Sequence, residues 1–146
     1  MHSYQDDVVA WATEQARLLR TKRFDLLDID HLADEIEDVG KSEQRELASR
    51  LAVLLAHLLK WDFQPERRCA SWESTLREQR RAISRRLRKT PSLQYSLNDP
   101  DWWEDVWLDA RIAASQETGI EFDRFPVICP WACSSVLDET SIITST

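Results

Sequence analysis

A histidine beside a tryptophan is the feature of this chain best suited to chemistry. His57 lies at the flank of the helical face formed by Leu47, Leu54 and Leu58, one turn before Trp61. An imidazole in that setting is easily tuned near neutral pH, so it is a candidate general base or pocket-lining group. Four further polar side chains, Glu35, Gln79, Arg80 and Arg111, border apolar stripes, and Glu117 falls inside its own stripe. Charges placed there must find partners on folding. The expected solution is an interhelical network in which Glu35 and Glu117 pair with Arg80 and Arg111, with His57 nearby. Nothing completes a nucleophile–base pair, so the cluster reads as packing before catalysis.

Metal and cofactor chemistry find little support. His31 and Glu35 stand one helical turn apart, but a dinuclear carboxylate bundle needs paired Glu-x-x-His motifs. Neither His31 nor His57 has a glutamate three residues earlier. Cys69, Cys129 and Cys133 are odd in number and lack Cys-x-x-Cys spacing, as expected of free thiols in a reducing cytoplasm. The Cys129/Cys133 spacing can place two thiols one turn apart, yet two ligands do not make a zinc site. Two glycines, Gly40 and Gly119, are too few for a phosphate-binding loop. The expectation is no metal and no cofactor.

A second kind of chemistry is binding. Arg77, Arg81, Arg85 and Arg88 share one face of a predicted helix, opposite Trp72, Leu76, Ile83 and Leu87. Such a face can neutralise phosphates. The net charge of -7 and the isoelectric point near 5.0 argue against a nucleic acid and for an acidic protein surface, in a partner, in the neighbouring acidic helices of the same fold or in a second copy.

The elements that must position these residues are helices. Tyr4, Val8, Trp11, Ala12, Leu18 and Leu19 recur at helical spacing and predict a helix from about Tyr4 to Arg20. Phe24, Leu26 and Leu27 are expected to tuck beneath the bundle. Asp30 can cap the next helix, whose buried stripe reads Leu32, Ile36 and Val39. Gly40 followed by Ser42 reads as a stop and a restart, but Leu47, Leu51, Leu54 and Leu58 stay in phase with Leu32 and Ile36. Both one long helix and two shorter ones fit. The stretch from Leu47 to Trp61 is apolar around most of its circumference and belongs at the centre. Pro65 ends it, and Ser71 can cap a fourth helix that closes before Pro91. Asp99-Pro100 opens a fifth, with Trp103, Val106, Trp107, Ala110 and Ala114 inward and Gly119 at its stop. An extended lid over 121–127, a short last helix from Pro130 to about Asp138 and a disordered tail over 140–146 complete the reading.

Composition agrees. The chain has 146 residues, 42% hydrophobic and 31% charged, which bounds it to one helical domain over 1–139. Mean hydropathy is -0.49 with seven tryptophans, the balance of a globular rather than a disordered or membrane protein. The start, Met-His-Ser-Tyr-Gln-Asp-Asp, has no basic region or apolar core, so no secretory signal is expected. Leu51 to Leu59 is too short to span a bilayer. Charge is segregated: residues 25–46 carry a net of -7, 66–89 a net of +6, and 99–124 a net of -6.

Several strings resemble one family. Leu32-Ala33-Asp34-Glu35-Ile36-Glu37 with Gly40 and Ser42, and His57-Leu58-Leu59-Lys60-Trp61, are two of them. Gln64-Pro65-Glu66-Arg67-Arg68, Ser71-Trp72, Gln79-Arg80 with Ile83, and Pro91-Ser92-Leu93 continue the series. Ala110-Arg111, Glu117-Thr118-Gly119, Phe125-Pro126 and Cys129-Pro130 close it. In this order they resemble the DUF29 family of small bacterial proteins from about Tyr4 to Leu137. Trp107 and Trp131 stand where tyrosine is usual, and both keep an aromatic ring. The resemblance implies an all-helical single domain and brings no catalytic residues.

The sequence therefore points to an all-α bundle of about five main helices plus a short C-terminal one. Its leading functional reading is a cytoplasmic, non-catalytic interaction or structural protein, with a protein partner or self-association. Two alternatives stay open. One is nucleic-acid association through the Arg77/Arg81/Arg85/Arg88 face, and the other is a ligand binder or enzyme at a His57/Trp61 pocket.

Overall fold

The helical periodicity of the sequence becomes six helices in a computed structural model that describes residues 2–140: α1 (Val8–Arg20), α2 (Ile29–Phe63), α3 (Ala70–Lys89), α4 (Gln94–Leu97), α5 (Pro100–Thr118) and α6 (Cys133–Leu137). Short 3-10 turns join them, and the described residues contain no strand. The fold is all-α. None of the helices is long and apolar enough to cross a membrane. The tail expected to be disordered lies, apart from Thr140, outside the described residues.

By its contacts the chain divides into two compact units, one reaching to Ser42 and the other starting at Glu43. In the first unit Asp7 caps α1, its carboxylate accepting the Ala10 N–H at 3.1 Å. The buried face of α1 is Trp11, Gln15 and Leu18, not the broader stripe read from sequence. Val8 and Leu19 are exposed. Phe24 and Leu26 are likewise exposed rather than tucked in. The residue ahead of α2 is Asp28, not Asp30. Its carboxylate accepts the Trp11 indole N–H at 2.9 Å and its backbone N–H donates to Gln15 Oε1 at 2.9 Å.

Helix α2 runs unbroken through Gly40, which resolves the open question in favour of one long helix. The stripe Leu32, Ile36, Val39 is not buried as expected, for Ile36 and Val39 are 70% and 67% exposed.

The second unit carries the core. Leu47, Leu51, Leu54, Leu55, Leu58 and Leu59 of α2 are buried on nearly all sides, as their all-round apolar pattern required. Leu76 and Ile83 of α3, Val106, Trp107, Ala110 and Ala114 of α5, Phe125 and Val136 complete the cluster. Cys69, rather than Ser71, is the residue ahead of α3. Asp99 caps α5 by accepting the Asp101 N–H at 3.0 Å, and Gly119 ends it in the left-handed region at φ 76°. The stretch read as an extended lid contains one turn, Phe122–Arg124, and the last helix begins at Cys133 rather than Pro130.

The two glycines predict opposite responses. At Gly40 an added Cβ meets nothing within 4 Å inside a continuous helix, so Gly40→Ala should raise the urea midpoint by about 0.5–1 kcal/mol of stability. At Gly119 the positive φ makes Gly119→Ala cost about 1 kcal/mol. A lower midpoint for Gly40→Ala would mean that the helix breaks there.

Candidate functional site

The His57 turn is built by α2. Its Nδ1–H donates to the Val53 carbonyl at 2.9 Å, one turn back in the same helix. Burial pushes the imidazole below its ordinary value of 6.5, with the Val53 bond opposing the shift. The ring is therefore held neutral, with Nε2 as its free lone pair. One turn on, Lys60 is buried, its ammonium 2.6 Å from Glu117 of α5 and 5.5 Å from the centre of the Trp72 ring. Trp61 is half-buried. The Arg68 guanidinium stacks over it at 5.0 Å and donates from Nε to its carbonyl at 2.7 Å.

The expected interhelical network does not form. Glu117 pairs with Lys60, not with an arginine. Glu35 accepts from Tyr4 Oη within the first unit. Arg80, buried between Leu76 and Ile83, donates from Nε to the Val136 carbonyl at 2.9 Å. Burial lowers its pKa while Asp138 and Glu139 raise it. Arg111, also buried, reaches the Phe125 carbonyl at 3.4 Å and lies 4.0 Å from the centre of the Phe122 ring. These two guanidiniums fasten the segment after α5 to the core, because carbonyls with no helical partner need donors. Gln79 is half-buried, and its Oε1 has no hydrogen-bond partner among the described residues.

Sequence reasoning missed Lys60, which it named only within the string His57-Leu58-Leu59-Lys60-Trp61. The available signal was its position: a lysine one turn after His57, in a stretch apolar around most of its circumference, must be neutralised from another helix. It also missed the cluster in the first unit. There Asp28 accepts from the His31 ring at 2.7 Å and from Trp11, which together hold its carboxyl below the usual range. Tyr4 stacks on His31 with ring centres 4.3 Å apart.

Arg77, Arg81, Arg85 and Arg88 are all exposed on α3, and none makes an ion pair among the described residues. The acidic stretch of α2 is met by a different arginine. Arg86 contacts Glu43 at 2.9 Å and Glu46 at 3.4 Å. A cleft lined by Glu43, Arg50, Arg85, Arg86 and Lys89 lies there. A larger cavity, of about 610 Å³, is lined by Trp103, Trp107, Trp131, Cys129 and Cys133 among others. Neither cavity is lined by His57 or Trp61. Burial raises the pKa of both thiols, so they are protonated at neutral pH. The described residues hold no group of three or more His, Cys, Asp or Glu able to bind a metal ion.

This arrangement defines an all-helical protein whose buried charges hold helices and a C-terminal segment in place. The family model described as "Domain of unknown function DUF29" matches residues 3–141, and the chain belongs to that family. No curated protein and no solved structure matches it.

Two outcomes follow from the His57 turn. Glu117→Gln strands the buried Lys60 ammonium and should cost about 1–3 kcal/mol in urea unfolding, the half-exposed carboxylate moderating the loss. Adding Lys60→Met should restore most of that. His57 has a depressed folded pKa, so its contribution is present above 6.5 and is lost as pH falls through the folded value. His57→Gln should therefore flatten the decline in Tm between about pH 7 and about pH 5.

Proposed function

We propose that the protein is a non-catalytic interaction protein of the cytoplasm that presents the first half of α2 to a basic amphipathic helix of a partner protein. One observation carries this reading. Ile29, Leu32, Ile36 and Val39 follow the alternating three- and four-residue spacing of a helix–helix seam, and Ile29, Ile36 and Val39 are more than 60% exposed. Isoleucine at the first position of each pair with leucine or valine at the second favours one partner helix. Ala33 and Gly40, beside the seam, permit close approach.

Charge supports a basic occupant. Asp30, Asp34, Glu35, Glu37 and Asp38 surround the seam. The chain also supplies its own precedent one heptad further on. There the seam positions become Glu43 and Glu46, and the basic helix α3 brings Arg86 onto both. A second copy fits less well, since two such acidic faces repel. The exposed free thiol of Cys69 supports a reducing compartment.

The test is fluorescence anisotropy with two synthetic helices that share one Leu seam, one flanked by lysine and the other by glutamate. Micromolar binding of the lysine helix alone is expected, weakened about tenfold by Ile36→Ser with Val39→Ser. Both positions are exposed, so helicity should be retained. Binding of the glutamate helix instead, unchanged in that variant but lost in Arg85→Ser with Arg88→Ser, would transfer the function to the basic face of α3.

A further inference from the structure

The cavity beside α5 is independent of the α2 seam and has a chemistry of its own. Tryptophans supply much of its wall. The Trp103 indole N–H donates to the Leu97 carbonyl and the Trp107 indole N–H to the Pro126 carbonyl, the latter at 2.9 Å. With their polar edges satisfied by backbone, neither ring has a hydrogen bond left to offer, and because Trp107 is buried the accessible ring surface is that of the half-buried Trp103 and Trp131. Trp131 stands perpendicular to Trp107, with ring centres 5.8 Å apart and an interplanar angle of 88°, an edge-to-face contact in which the buried Trp107 backs the half-buried Trp131.

Charge at this cavity has one sign. Glu104 lines it, is exposed, and makes no ion pair or hydrogen bond among the described residues. Asp101 and Asp105 neighbour it on α5, which carries no lysine or arginine before Arg111. The two thiols of the lining are neutral and add no opposing charge. An anion would meet Glu104 unfavourably, and a bare metal ion would find one carboxylate where it needs several oxygens. A partner helix is too wide for about 610 Å³, a volume that suits a small molecule.

We infer that this cavity binds a small organic cation, an alkylated ammonium on an apolar body, with Trp103 and Trp131 against the cation and Glu104 at the rim. Two half-buried indoles offer a quaternary ammonium their ring surface, and a carboxylate completes the charge without demanding a hydrogen bond. The apolar remainder of the ligand lies against Leu97, Val127 and Ile128.

Tryptophan fluorescence of the full chain, titrated with choline and benzyltrimethylammonium, tests this. The control is the neutral alcohol in which carbon replaces the choline nitrogen. Both cations should give a saturable change, with choline bound about tenfold more tightly than its neutral isostere. Glu104→Gln, at an exposed position, should weaken both cations several-fold and leave the neutral alcohol unchanged. Trp131→Leu should weaken all three ligands, with far-UV circular dichroism confirming the fold. Equal affinity for choline and its isostere, no saturable response to either cation, or an indifferent Glu104→Gln would each overturn the assignment. None of these outcomes bears on the α2 seam.

Discussion

The second unit depends on burying a helix that is apolar on all sides but one. From Leu47 to Leu59 six leucines of α2 are removed from water, each stabilising the fold by about 2 kcal/mol. The apolar sides of such a helix must be covered by neighbours, and α3, α5 and the C-terminal segment take that role. Lys60 is the exception that this burial creates. Its ammonium cannot stay unpaired in such surroundings, so Glu117 is drawn to it from the end of α5 and Trp72 offers its ring from the start of α3. One buried charge thus touches both helices that cover α2.

The other buried cations serve the chain after α5. Arg80 and Arg111 donate to the carbonyls of Val136 and Phe125, which lie where backbone partners are scarce. Phe125 then packs on Phe63 with ring centres 5.0 Å apart, and Trp107 bonds to the Pro126 carbonyl. The same fastening places Trp131 against Trp107. The cavity beside α5 is thus lined in part by the C-terminal segment that these contacts hold.

The first unit follows another rule. Its contacts centre on one carboxylate, Asp28, which gathers Trp11, Gln15 and His31, while several of its large apolar residues remain in water. A short helical hairpin buries too little surface to hide every apolar residue. Gly40 was ambiguous in sequence for the same reason. The phase of Leu32 and Ile36 with Leu47 matches one helix whether or not the first half is covered.

Much of this architecture is present in the residues themselves. The all-round apolar run at 47–59, the Asp99-Pro100 start, the Gly119 stop and the helical period of α3 and α5 are local properties, and local spacing is enough to specify them. Periodicity also marks a stripe as apolar, as at Leu32, Ile36 and Val39. It does not say whether a neighbour arrives to cover it. Nor can it choose among cations, since it offers Arg80 and Arg111 to Glu117 and passes over Lys60. Distance across helices decided for Lys60 at 2.6 Å and gave the arginines to backbone carbonyls. The sequence by itself determined which segments are helical and which are acidic or basic. Tertiary packing alone determined which apolar stripe stays bare, which charges meet, and that Trp103, Trp107 and Trp131 line one cavity. Those outcomes depend on side chains far apart in the chain, where spacing along one helix carries no information.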